Sequence, residues 1–151
     1  MKILAHVPMK IAGIGCGLAL LAIGGCAAML DSGGGGVQAL AICSSNPCAA
    51  TVTVTVQGNR CTPRTSPRQL DIPPGNTNDI VWTIAGGNFK FAHNGVEFKS
   101  GSGAGFSSGG GGGGQTFRYH NSHSRPGPHQ YNVTVTDGTL TCTEDPTILN
   151  K

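Results

Sequence analysis

Four histidines in the second half of the chain are the side chains best suited to chemistry. They are His93, His120, His123 and His129, and three of them lie within ten residues. Imidazole nitrogens bind copper and zinc, so clustered histidines are candidates for a metal site. We favour the simpler interpretation that all four are polar loop residues in contact with water. The alternative is a Cu(II) or Zn(II) site of three or four imidazoles, and no other cofactor is expected.

The cysteines divide into two groups by position. Cys16 and Cys26 lie in the apolar N-terminal region, and the remaining four are Cys43, Cys48, Cys61 and Cys142. An even number of cysteines after an export sequence predicts disulfides formed in an oxidising compartment. Three pairings are possible, and we favour Cys43–Cys48 with Cys61–Cys142. A zinc site of four thiolates is disfavoured, because only one pair of these cysteines is closely spaced.

The N-terminal region has the order of a secretory signal peptide. Lys2 and Lys10 flank its start, residues 11–23 are almost entirely apolar, and small residues follow. A membrane-spanning helix needs about 20 apolar residues. This run is shorter and is interrupted by glycines, so an uncleaved anchor is disfavoured.

The residues Ile23-Gly24-Gly25-Cys26 resemble the lipobox of bacterial lipoproteins. The resemblance implies cleavage after residue 25, lipid on the Cys26 sulfur, and export with anchoring to a bacterial membrane. Because Ala27 rather than Asp follows the cysteine, the resemblance favours the outer membrane, with the protein facing the periplasm or the cell surface. The alternative is a conventional signal peptide cleaved after Ala27 or Ala28, which would leave a free periplasmic protein.

Length and composition allow one compact domain plus appendages: 151 residues, 25 of them Gly, with only 11% charged. We therefore divide the chain into a signal peptide (1–25), a Gly-rich tether (26–40) and a β-domain (41–151). Without residues 1–25 the chain carries eight Lys or Arg against seven Asp or Glu. A net charge of +1 gives no argument for nucleic-acid binding. Arg60, Arg64 and Arg68 recur every four residues, but the prolines between them predict an exposed loop rather than a helix.

Short segments of alternating β-branched or aromatic residues predict an all-β fold. They are 51–56, 80–84, 89–91, 96–98, 116–119, 131–136 and 139–142. We expect a single antiparallel β-sandwich of about seven strands, with Val52, Val54 and Val56 facing the core and Trp82 inside it. Asn94-Gly95 and Asp137-Gly138 predict turns. Residues 101–115, which are rich in glycine, predict a mobile loop; no helix follows them, so they do not form a phosphate-binding loop.

Two segments around the histidines resemble those of cupredoxins. The first runs from Ile80-Val81-Trp82 to Ala92-His93-Asn94, and the second, residues 119–135, resembles the cupredoxin ligand loop. The resemblance implies a cupredoxin-like sandwich with His93 and His123 as equatorial ligands, His120 at the position of the cysteine ligand, and His129 near the axial position. Without a cysteine at residue 120, the blue copper site is excluded. An immunoglobulin-like sandwich is the other version of the fold, weakened because Leu140 stands where a tyrosine corner needs Tyr.

Enzymatic chemistry has little support in the sequence, because acidic residues are few and no serine lies in a nucleophile motif. We therefore expect no enzyme. The predicted function is a non-enzymatic binding or structural module of the cell envelope, attached to the membrane through its lipid, with an envelope protein as a potential partner. The alternative function is a copper- or zinc-binding protein that uses the histidine cluster.

Overall fold

The computed structural model describes residues 40–151. The strands are β1 (Leu40–Ile42), β2 (Cys48–Gln57), β3 (Arg60–Ser66), β4 (Gln69–Ile72), β5 (Asn78–Ile84), β6 (Lys90–Phe98), β7 (Phe106–Gly110), β8 (Thr116–Asn121), β9 (Gly127–Thr136), β10 (Thr141–Glu144) and β11 (Thr147–Asn150). In this part of the chain no helix is long and apolar enough to span a membrane. The all-β class is confirmed. The predicted signal peptide, Cys26 and the tether up to residue 39 lie outside the described residues.

The strands form two mixed sheets. The first has the order β1-β4-β11-β9-β10, with β6 also paired to β9, and the second has the order β3-β2-β5-β8-β7. β1 and β11 both run parallel to β4, and β2 runs parallel to β5; the other pairs are antiparallel. The prediction of about seven strands in a wholly antiparallel arrangement is therefore wrong in both strand number and direction. The strands it missed are short, glycine-rich or interrupted by proline, so they lack a period-two pattern.

The core lies between the two sheets and draws apolar side chains from both. Trp82 of the second sheet and Tyr131 of the first are fully buried. The prediction that Trp82 is a core residue is confirmed. Val52 is also buried and Val54 packs against the cluster, but Val56 is 48% exposed. The prediction for Val56 is wrong, because the end of β2 continues past the core toward its turn into β3.

Two segments predicted to be loops contain strands. Arg60–Ser66 forms β3, an edge strand paired antiparallel with β2. Pro63 is tolerated there because an edge strand leaves one side of its backbone unpaired. The loop prediction is therefore wrong for Arg60 and Arg64, while Arg68 lies in the bend between β3 and β4. The glycine-rich segment 101–115 contains β7, the opposite edge of the same sheet.

The two predicted turns have different outcomes. Asp137-Gly138 does join β9 to β10, whose register pairs Thr136 with Thr141. The backbone N–H groups of Leu140 and Thr139 donate to the Asp137 carboxylate and hold its pKa below the usual value. Asn94-Gly95 is not a turn: it lies within β6, where the pairing with β9 shifts register.

Two disulfides join the four cysteines of this region. Cys43 is bonded to Cys48, and Cys61 to Cys142, which is the favoured pairing. The second bond joins β3 of one sheet to β10 of the other. It therefore bridges the two sheets at one side of the core.

Asp71 is a buried carboxylate in the middle strand of the β1-β4-β11 group. The Gln69 side-chain amide donates to it at 2.8 Å, and the Lys151 ammonium forms an ion pair with it. Burial acts to raise the pKa of Asp71, but the hydrogen bond from Gln69 and the interactions with Lys151 outweigh burial, so the pKa lies below its ordinary value. Folding therefore favours the charged form of this side chain.

The Asp71→Asn variant tests this charge. Because the pKa of Asp71 is lower in the folded state, its stabilisation is present above the unfolded pKa of about 4 and is lost as pH falls through the folded pKa. We expect the variant to lower the free energy of unfolding by about 1–3 kcal/mol at pH 7. The deficit should shrink at pH 3. Urea unfolding of wild type and variant at both pH values measures this deficit. An equal deficit in the free energy of unfolding at pH 7 and pH 3 would contradict a role for the charge.

Candidate functional site

His120 lies on the outer face of the second sheet, in a cluster around Asp79. Its Nδ1 is 3.0 Å from one Asp79 carboxylate oxygen, and the Arg118 guanidinium lies 3.4 Å from the other. All three side chains are partly exposed. The Asp79 carboxylate therefore already has two partners, the His120 ring and the Arg118 guanidinium, in one surface cluster.

His123 follows β8 and has a left-handed backbone conformation, with φ of 52°. The backbone N–H of Gly75 donates to its Nδ1 at 3.1 Å, and its own backbone N–H donates to the Asn121 side-chain oxygen. Because Nδ1 accepts, the neutral ring carries its proton on Nε2. Nε2 is buried and has no hydrogen-bond partner within the described residues.

His129 is buried at 4% exposure and has a structural role. Its Nδ1–H donates to the Ser102 carbonyl at 2.6 Å, and its Nε2 lies 2.9 Å from the Arg125 carbonyl oxygen. The ring also packs edge-on against Phe106, with 4.9 Å between centroids. Both nitrogens are thus engaged with the backbone of two neighbouring loops. This contradicts the expectation that His129 is a solvated loop residue.

His93 lies several residues along the first sheet from His129. It is in β6 just after Phe91, which pairs with Val135 near the end of β9, whereas His129 is near the start of β9. Six residues of extended strand, about 20 Å, separate Val135 from His129 along β9. The structure therefore does not bring the four histidines together. Within residues 40–151, no group of three or more His, Cys, Asp or Glu side chains is placed to hold a metal ion.

Two concave surfaces of the described region flank His93. Two clefts, of about 840 and 520 Å³, share His93 and Gly112 in their linings. The buried rings of Phe91 and Phe117 line one cleft each and contact each other edge-on, with centroids 5.6 Å apart. We call these two clefts together the His93 cleft.

The glycine-rich segment builds the His93 cleft by pairing with β6. The Phe91 N–H donates to the Gly114 carbonyl, and the Gly113 N–H donates to the Phe91 carbonyl, at 2.8 and 2.9 Å. Beyond Phe91, β6 has no paired residue on β9 until Val96. The cleft therefore offers a ligand the exposed His93 imidazole, in a part of β6 that is not paired with β9. Such a surface can bind polar molecules through both donors and acceptors.

Gly112 is required for this contact, because a Cβ there would overlap the backbone carbonyl of His93. We expect Gly112→Ala to displace the segment from β6 and to cost about 1–3 kcal/mol of stability. Gly114→Ala is the matched control, since its Cβ would meet the nearest atom at an ordinary 3.4 Å. Amide hydrogen exchange at Phe91 and Gly113 measures the displacement. Equal exchange rates in Gly112→Ala and Gly114→Ala would contradict the close approach of Gly112 to the His93 backbone.

Sequence patterning does not reveal this cleft, because residues 101–115 have the composition of a loop. Glycine has no side chain, so no hydrophobic pattern marks the residues that pair with β6. The one available indication was Phe106, a large apolar residue within the segment, which lies in β7 and stacks on Phe98.

The chain matches no protein-family model, and a search of curated proteins finds no significantly similar sequence.

Proposed function

We propose that this protein is exported, is anchored to a bacterial membrane by lipid on Cys26, and acts there as a non-enzymatic binding or structural module. The observation that carries the proposal is the pairing of Cys43 with Cys48 and of Cys61 with Cys142. Two disulfides indicate folding in an oxidising compartment, as export would provide. The pairing also uses every cysteine of the domain, which leaves Cys26 of the lipobox-like sequence for the lipid.

We propose a cupredoxin-like sandwich as the finer description of the fold. An immunoglobulin-like sandwich consists of antiparallel sheets. Here β2 runs parallel to β5, and β4 runs parallel to both of its neighbours. The parallel pairs therefore favour the cupredoxin-like version.

The His93 cleft is the surface that we assign to binding. Its two clefts have volumes of about 840 and 520 Å³, and they are lined by the exposed His93 imidazole and by the buried rings of Phe91 and Phe117. A copper or zinc site formed by all four histidines is not part of this proposal, because no group of three or more His, Cys, Asp or Glu side chains within residues 40–151 is placed to hold a metal ion.

Metabolic labelling with a radioactive fatty acid tests the anchor. The full chain is expressed in a Gram-negative host as wild type, Cys26→Ser and Cys16→Ser, and the membrane fraction is collected. We expect label and membrane retention in wild type and Cys16→Ser, and loss of both in Cys26→Ser, because only Cys26 follows the lipobox-like residues. Unlabelled wild-type protein in the periplasmic fraction would instead support a conventional signal peptide and overturn the lipid anchor.

A further inference from the structure

The outer face of the β2–β3 hairpin carries a polar groove that the proposed function does not use. It has a volume of about 390 Å³ and is lined by Thr55, Gln57, Arg60, Thr62 and Arg64. The register places Gln57 opposite Arg60 and Thr55 opposite Thr62. Because side chains alternate along a strand, Cys61 and Pro63 of β3 face inward between these outward residues. We call this surface the Arg60/Arg64 groove.

Among residues 40–151, the two arginines of the groove have no acidic partner. Three of the other six Lys and Arg side chains there do: Arg118 pairs with Asp79, Lys99 with Asp145 and Lys151 with Asp71. Within residues 40–151, no carboxylate lies within salt-bridge distance of Arg60 or Arg64. Two guanidinium groups therefore remain free for a ligand.

The nearest acidic group that contacts β3 does not reach the groove. Glu144 of β10 accepts a hydrogen bond from the Thr65 hydroxyl. Thr65 is buried on the inward side of β3. The negative charge of Glu144 is thus on the other side of the strand from the groove.

The polar groups of the groove are also unused. Among the described residues, none of its five side chains makes a hydrogen bond within the protein. The groove thus presents two planar guanidinium forks, two hydroxyls and one amide. A guanidinium fork matches the geometry of a carboxylate, sulfate or phosphate, and hydroxyls and amides match sugar hydroxyl groups.

The spacing favours a polymer over a single small anion. Arg60 and Arg64 are four residues apart on one extended strand, about 13 Å. A chain with repeated charges can place one anionic group on each guanidinium at this spacing, so that both contacts add to the binding. Single-stranded nucleic acid is disfavoured because no aromatic side chain lines the groove for base stacking. A lipid surface is disfavoured because no apolar side chain lines it either.

We propose that the Arg60/Arg64 groove binds an acidic polysaccharide, with the arginines on its charged groups and the Thr and Gln side chains on its hydroxyls. This goes beyond the proposed function, because it assigns a ligand class to a second surface of the domain. Binding by the purified chain does not depend on where the protein is located in the cell. Failure of the lipid-labelling experiment and failure of this proposal are therefore distinguishable.

The test is calorimetric titration of the full chain, purified in detergent, with polygalacturonate. We expect binding that weakens as salt is added. In the Arg60→Ala/Arg64→Ala double variant the affinity should fall at least about ten-fold, since losing 1.4 kcal/mol of interaction already corresponds to that factor. Arg118→Ala is the matched control: it removes an arginine from the same sheet face, but one that is already paired with Asp79. Its affinity should stay within about two-fold of wild type.

Further arms separate the sugar contacts from the charge. A Gln57→Ala/Thr62→Val double variant should weaken polygalacturonate binding about three-fold or more, because it keeps the charges and removes two polar groups. Neutral dextran should not bind. Circular dichroism shows that each variant is folded. The proposal is overturned if wild type does not bind polygalacturonate, or if it binds dextran or double-stranded DNA equally tightly. It is also overturned if Arg118→Ala loses as much affinity as the arginine double variant. Unchanged affinity in the arginine double variant or in the Gln57/Thr62 double variant would overturn it as well.

Discussion

Trp82→Ala is expected to lower the free energy of unfolding by about 3–5 kcal/mol, a large part of the 5–15 kcal/mol typical of a domain. Trp82 is fully buried between the two sheets and packs edge-on against Tyr119 and Tyr131. Removing the indole leaves a cavity that these neighbours can fill only in part. Urea unfolding followed by far-ultraviolet circular dichroism measures the loss, since the variant has no tryptophan left to fluoresce.

Tyr131→Phe is the matched control for the polar part of this contact. The Trp82 indole N–H donates to the Tyr131 hydroxyl at 3.1 Å, and burial raises the pKa of Tyr131, so the hydroxyl stays neutral. The variant keeps the ring but leaves the indole N–H without an acceptor, which should cost about 1–3 kcal/mol. A Trp82→Ala loss no larger than that of Tyr131→Phe would show that the cavity is not the main cost.

The Cys61–Cys142 disulfide should have an effect of similar size. It closes a loop with a sequence separation of 81, for which chain entropy predicts a loss of about 4.5 kcal/mol when both cysteines become serine. The Cys43–Cys48 bond has a separation of only 5, and the same relation predicts about 2 kcal/mol. Urea unfolding followed by Trp82 fluorescence measures both. If removing the Cys43–Cys48 bond lowered the free energy of unfolding as much as removing the Cys61–Cys142 bond, local packing rather than chain entropy would explain the stabilisation.

The parts of the fold that were predictable are those whose side chains alternate over a half-buried sheet. Val52 in β2 and Val133 in β9 are buried as their alternation indicates, and Asp137-Gly138 forms the turn between β9 and β10. β4 shows why others were missed. Leu70, Asp71 and Ile72 are consecutive and all buried, because this strand lies between two parallel neighbours. Such a strand has no exposed face to produce a polar alternation.

The histidines show the limit of sequence spacing for finding a site. His120 and His129 are close in the sequence, yet one lies on an exposed sheet face and the other inside the domain. The difference arises because the direction of a strand and the alternation of its side chains decide on which face a histidine lies. For residues that flank a loop, the local sequence specifies neither. Arg60 and Arg64 show the opposite case. Their spacing of four was interpreted as a loop because of Pro63, although it also places both residues on one face of a strand.

The Cys61–Cys142 bond has a mechanical consequence. Consider a pulling force applied between Leu40 and Lys151, as a membrane tether and a bound partner would apply it. β1 and β11 are both loaded in shear, because the force acts along each strand and across its pairs with β4. Once these pairs have separated, the tension passes through the Cys61–Cys142 disulfide from β3 to β10. Residues 62–141, which include Trp82 and the His93 cleft, then carry no tension at all.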